Sequence, residues 1–139
     1  MALMRRMVAA GEVDALVAER VWQELARGLM ERHPSRMFEV LRECGALERV
    51  LPELARLWGV PQRAEHHPDE ARSVKLLDAL CERLRVPGEC RDLARLVARE
   101  HGLIHRVLEL RASTLVELLE RLDALRKPQR LEQVISACE

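Results

Sequence analysis

Two groups of side chains in this sequence have the chemistry to hold a charged partner. The first is His66-His67-Pro68-Asp69-Glu70, where two imidazoles stand beside two carboxylates. Such a donor set suits a divalent metal. The competing reading is a polar linker, in which adjacent histidines point apart. His101 and His105 extend the set, because residues four apart share one face of a continuous helix. Gly102 lies between them and is expected to end the helix, giving the two histidines separate capping and surface roles. The candidate metal ligands are therefore His66, His67, Asp69, His101 and His105.

The second group is basic. Arg91, Arg95 and Arg99 recur at steps of four, opposite Cys90, Leu93 and Val97, and Arg106 continues the line. Steps of four rise ~6 Å along a helix, close to the spacing of phosphates on an RNA strand. Arginine forks match phosphate oxygens, and such contacts position a nucleic acid without reading its sequence. A further cluster, Arg126, Lys127 and Arg130, flanks the start of the last helix. Both clusters have plainer readings. The ridge can be a solvated face partly neutralised by Asp92 and Glu100. The cluster can complement the dipole of the helix before it.

Nucleophilic catalysis has no candidate residue. The only hydroxyls are Ser35, Ser73, Ser113, Thr114 and Ser136, and no glycine-rich phosphate loop or GxSxG stands near them. The formal net charge is zero, so there is no bulk attraction for nucleic acid. Arginine outnumbers lysine 21 to two, as phosphate contacts would favour and as a GC-rich genome would also produce. With no tyrosine and one phenylalanine, the chain lacks a stacking platform for single-stranded bases. Cys44, Cys81, Cys90 and Cys138 have no CxxC spacing and fall on or beside apolar stripes, which reads as small buried hydrophobes in a reducing compartment. No apolar run approaches the ~20 residues of a membrane span, and the N-terminus does not read as a signal peptide.

The elements that must position these residues are helices. At 139 residues the chain is long enough for a real core. Val21, Trp22, Leu25 and Leu29 form one stripe, and Met37, Phe38, Leu41 and Cys44 a second, with His33-Pro34-Ser35 between them. Trp22 and Phe38 are expected in one core. Gly45 is placed to end the second helix in the left-handed conformation. Leu47 and Val50 face inward on a short helix, and Pro52 opens the next. Val60 to Asp69 lacks periodicity and reads as the main linker, with Asp69 as a cap. Val74, Leu77, Leu80, Cys81 and Leu84 are the inward face of the helix that follows. Glu89 to His101 carries Cys90, Leu93, Ala94 and Val97 on one face, and Leu103 to Leu110 reads as a short buried helix. Thr114 and Glu117 match a capping box. Leu115, Leu118, Leu119, Leu122 and Leu125 follow, then Leu131, Val134, Ile135 and Cys138 after Pro128. All six prolines fall at expected boundaries and no stretch alternates like a strand. The prediction is an all-α array of roughly seven to nine short helices without a sheet. It divides into residues 1–59, a linker 60–69 and residues 70–139, the helical parts packed together as one compact unit.

Three stretches, ERVWQELARGLM, PSRMFEVLRECGAL and LPEL, resemble the helical neck of bacterial CCA-adding enzymes (tRNA nucleotidyltransferases). The opening ALMRRMVAAGEVDALVAERVWQEL is similar as well. From Ala71, ARSVKLLDALCERLRVPGECRDLARLVAREHGLIH, then TLVELLERLDALRKPQRLEQ and ACE, resembles the helical region that many proteobacterial members fold as an HD-type metal-dependent phosphohydrolase. HHPD resembles the segment leading into it. The resemblance implies a cytoplasmic partner in tRNA processing. It implies contact with the tRNA backbone, and none with DNA or membrane.

The departures from the family bear on function. Its nucleotidyltransferase head, which uses Mg with ATP and CTP, lies upstream of anything here. The chain has no His-Asp dipeptide and passes directly from Pro68 to Asp69-Glu70-Ala71 where the family carries its HD motif. Several dozen residues are missing at that point, and Gly102 aligns with a late acidic position of some relatives. The expectation is a helical tRNA-binding and structural portion, with no catalytic residue and no cofactor of its own. An intact HD domain would take Ni or Mn. Two alternatives stay open: a residual phosphohydrolase using the histidine and aspartate set above, or a plain helical scaffold.

Overall fold

The fold was analysed in a computed structural model, which describes residues 1–59 and 70–138. Among the described residues there are nine α-helices and no strand: α1 (Ala2–Ala9), α2 (Ala18–Leu29), α3 (Ser35–Glu43), α4 (Leu47–Val50), α5 (Pro52–Leu57), α6 (Glu70–Arg83), α7 (Gly88–Ile104), α8 (Ala112–Arg121) and α9 (Pro128–Cys138). Two 3-10 turns, Glu12–Ala15 and Val107–Glu109, complete the set. The all-α expectation holds. The chain groups into two compact units, Met1–Arg63 with Arg83–Arg85, and Ala64–Glu82 with Val86–Glu139.

In the first unit proline and glycine set the boundaries. Pro34 precedes α3 and Pro52 opens α5, where a missing N–H is harmless. Gly45 follows α3 at φ 80°, and its N–H bonds the Arg42 carbonyl at 3.0 Å. That left-handed turn suits glycine because it has no Cβ to clash. The buried side chains are Leu25, Cys44, Ala46, Leu47, Leu51 and Leu84. Trp22 and Phe38 are only half-buried, which corrects the expectation that they form the core. α3 buries no residue fully, so its aromatic side chain lies at the margin. Leu29 is also exposed, because α2 ends there. Arg42 stacks over Trp58 at 4.8 Å, and Arg49 pairs with Asp14 at 3.2 Å.

The second unit is built around Leu118, Leu122, Ala124 and Val134, with Leu93, Leu96, Val97, Leu103, Ile104 and Leu131 packed against them. Several expectations do not hold in this unit. α7 does not stop before Gly102 but runs on to Ile104. Glycine inside a helix costs about 1 kcal/mol against alanine. Leu103 and Ile104 offset it by reaching the core, at roughly 25 cal/mol per Å² buried. The segment expected as a second buried helix is instead a 3-10 turn with Leu108 almost fully exposed.

α8 starts at Ala112 after an extended Arg111, with no side-chain cap, so Thr114 lies within the first turn rather than capping it. Finally, α8 ends at Arg121, before the turn that Pro128 was expected to impose. Asp123 takes φ 52°; its N–H bonds the Glu120 carbonyl, and that of Ala124 bonds Leu119. This two-bond closure turns the chain early. It buries Ala124 and leaves Leu125 exposed, against the predicted stripe. Ile135 is exposed beside the fully buried Val134, and Cys90 is exposed at the start of α7.

Candidate nucleic-acid interface

The basic residues of the second unit are positioned by α7 and α9. α7 starts after Pro87, whose carbonyl accepts the Arg91 N–H at 3.0 Å. Its seventeen residues hold Arg91, Arg95 and Arg99 in the register read from the sequence. The three are not an equivalent solvated row, however. Arg91 and Arg95 are half-buried and Arg99 is exposed. Arg95 donates from Nη2 to Asp78 Oδ2 on α6 at 2.9 Å. Among the described residues, Arg91 Nε and Arg95 Nε are the buried side-chain nitrogens without a hydrogen-bond partner.

α9 begins at Pro128 and packs along α7. The consequence is a cleft of about 270 Å³ lined by Asp92, Arg95, Leu96, Arg99 and Arg130. Two basic clusters that are about thirty residues apart in sequence therefore share one concavity. A neighbouring depression of about 420 Å³ adds Lys127 and Gln129 and shares Arg130. Arg91 does not line the cleft. Arg106, two residues past the end of α7, turns back on that helix, its Nε 3.4 Å from the Gly102 carbonyl. Arg126 and Lys127 lie 3.9 and 4.0 Å from the Asp123 carboxylate and are mostly exposed. Exposed pairs that loose contribute little to stability, so both cations are available to a ligand.

The histidines behave differently from the expectation. Because α7 continues through Gly102, His101 and His105 do share a face, their rings 6.3 Å apart and edge-on. His101 Nδ1 lies 3.1 Å from the Val97 carbonyl oxygen, which an Nδ1–H can bond. His66, His67 and Asp69 lie outside the described residues. Among the described residues, no group of three histidine, cysteine, aspartate or glutamate side chains is close enough to hold a metal.

Glu100, read from the sequence as part of a solvated face that neutralises the ridge, is buried instead. Only 2% exposed, it accepts two hydrogen bonds of 3.0 Å from Arg121 Nε and Nη2. A signal was present: Leu93, Val97, Glu100 and Ile104 follow helical spacing, which puts a carboxylate on the apolar stripe. Ending the helix at Gly102 hid that register. No helix among the described residues is long and apolar enough to cross a membrane.

Comparison with known proteins places the chain among others. Residues 1–57 match a family described as "Probable RNA and SrmB- binding site of polymerase A". The whole chain is 56% identical to a multifunctional CCA protein of Cupriavidus taiwanensis, over 187 aligned positions that cover 45% of that protein. Multifunctional CCA proteins of Burkholderia cenocepacia and Paraburkholderia phymatum are 53% and 54% identical, with the same coverage of both chains. The chain thus spans less than half the length of these relatives. Since it has 139 residues, 48 of the 187 aligned positions have no counterpart in it. No solved structure matches.

Proposed function

On the premise that the chain belongs to the family of bacterial CCA-adding enzymes, we propose that it is a helical tRNA-binding portion of such an enzyme. The identity of more than half its residues to multifunctional CCA proteins, along its whole length, carries this reading. The match of residues 1–57 to an RNA-binding family supports an RNA partner for the first unit. Arginines on α7 and α9 supply cations for the second. An A-form helix is recognised mostly through its shape and phosphates, so rigid helices bearing scattered arginines are suited to the task.

In this reading the chain adds no nucleotide itself and carries no cofactor. Phosphoryl transfer with two metals needs carboxylates that hold them, and among the described residues no group of three histidine, cysteine, aspartate or glutamate side chains is close enough to hold a metal. Mg, ATP and CTP would act in the parent enzyme's catalytic head. The 48 unmatched positions fit the loss of the HD-bearing segment between Pro68 and Asp69. That loss would leave no phosphohydrolase.

The test is a filter-binding assay of the full chain with tRNA lacking its CCA end, run beside incorporation of labelled CTP and ATP. The expected result is salt-dependent binding without incorporation. Changing Arg91, Arg95 and Arg99 together to alanine should weaken binding similarly for unrelated tRNAs and reduce its salt dependence. Absence of tRNA binding at low salt would overturn the proposal. Incorporation by rigorously purified protein would overturn the claim that the chain is not catalytic.

A further inference from the structure

We propose that the cleft between α7 and the start of α9 seats a single phosphate group, held jointly by Arg95, Arg99 and Arg130. A ridge on one helix would meet successive phosphates one at a time. The structure instead draws cations from two helices into a concavity of about 270 Å³. The cleft is lined by three arginines and one carboxylate, that of Asp92, and with Asp78 counted against Arg95 one positive charge remains in excess. Among the described residues, neither Arg99 nor Arg130 has a carboxylate within 4.0 Å.

Arg95 is fixed at one end by Asp78, yet its Nε is buried and has no acceptor. The exposed part of the Arg95 guanidinium lines the cleft beside Arg99 and Arg130, with Asp78 holding it in place. The positive end of the α9 dipole adds to this, since Arg130 lies in the first turn of an eleven-residue helix. Planar guanidinium forks from two directions suit the tetrahedral oxygens of a phosphate better than the flat carboxylate of an acidic peptide.

The ligand class is a phosphate, from an RNA strand or as free inorganic phosphate. The cleft rests on the tRNA-binding reading only for the first of these sources, and two arms separate them. In the protein-only arm, the full chain is titrated with inorganic phosphate at constant ionic strength while the arginine Nε–Hε NMR signals are followed. Saturable shifts at Arg95, Arg99 and Arg130, but not at the exposed Arg27, support the site. Uniform small shifts across all arginines overturn it for free phosphate.

In the RNA arm, the salt dependence of binding to a 12-base-pair RNA duplex is measured for Arg99→Ala, Arg130→Ala and the double variant. Shared contact with one phosphate predicts non-additive losses, the double variant giving up about one unit of slope in total. Losses that sum to about two units, or no loss at all, overturn the single-phosphate seat. Arg130→Lys keeps the charge but not the fork, and is expected to recover only part of the affinity. Circular dichroism guards against misfolding. If the unmodified chain fails to bind the duplex, the tRNA reading fails, while the phosphate titration still decides the cleft.

Discussion

Glu100 and Arg121 meet in two parallel hydrogen bonds of 3.0 Å, joining the inward face of α7 to the last residue of α8. The carboxylate is buried, while the guanidinium side chain keeps 39% of its exposure. Removing the cation alone leaves an unpaired buried charge. Loss of one partner from a fully buried pair costs about 3–5 kcal/mol, and the partial exposure of Arg121 discounts this to about 2–3 kcal/mol. Arg121→Met is therefore expected to destabilise by that amount in denaturant titration. The double variant Glu100→Leu with Arg121→Met should recover most of the loss, because it removes the charge and the need for a partner together. Equal losses in the single and double variants would show that packing, not the ion pair, matters here.

In the first unit the order of two truncations reports where the core lies. Leu47 is 1% exposed, whereas Phe38 is half-buried. Leu47→Ala is expected to cost about 2–5 kcal/mol, the range for a leucine in a tight interior. Phe38→Ala should cost less, about 1–3 kcal/mol, since part of the side chain already meets solvent. The reverse order would put the centre of this unit at the aromatic ring.

Much of this was legible in the sequence because helices are written in spacing. Pro34, Pro52, Pro87 and Pro128 each stand at a helix start, and Gly45 at a helix end, as their backbone preferences require. The errors gathered where a local rule lost to burial. Gly102 stays helical because Leu103 and Ile104 gain more from the core than glycine costs. Asp123 and Arg85 both take positive φ, which aspartate tolerates better than most residues and arginine does not announce at all. The shared cleft was unreadable for another reason. Arg99 and Arg130 come together only through the packing of α7 on α9, a long-range contact with no signature in either segment.

The four free thiols differ enough to be ranked by a labelling experiment. Cys90 is exposed, Cys138 half-buried, and Cys44 and Cys81 buried. Burial pushes the Cys81 and Cys138 thiols above the ordinary range, so both stay protonated further into alkaline pH. The thiolate is the reactive form. At pH 8 iodoacetamide should modify Cys90 first, Cys138 more slowly, and Cys44 and Cys81 only on unfolding. Mass spectrometry over time checks the order. Early modification of Cys81 in the folded chain would contradict the placement of α6.

Asp123 offers a way to strengthen the second unit without touching its core. It sits at φ 52°, between the fully buried Leu122 and the buried Ala124. A side chain in this region costs roughly 1–2 kcal/mol, somewhat less for aspartate, whereas glycine adopts it freely. Against this stand the Asp123 pairs with Arg126 and Lys127, at 3.9 and 4.0 Å. Pairs so long and exposed are worth a few tenths of a kcal/mol at most. The backbone gain therefore exceeds the electrostatic loss, and Asp123→Gly is expected to raise stability by about 0.5–1 kcal/mol. Asp123→Ala loses the same pairs without gaining the left-handed freedom, so it should destabilise. The two substitutions share one electrostatic change and differ in backbone conformation, so opposite signs in denaturant titration assign the effect to φ. Losses of the same size in both would instead place the role of Asp123 in its carboxylate.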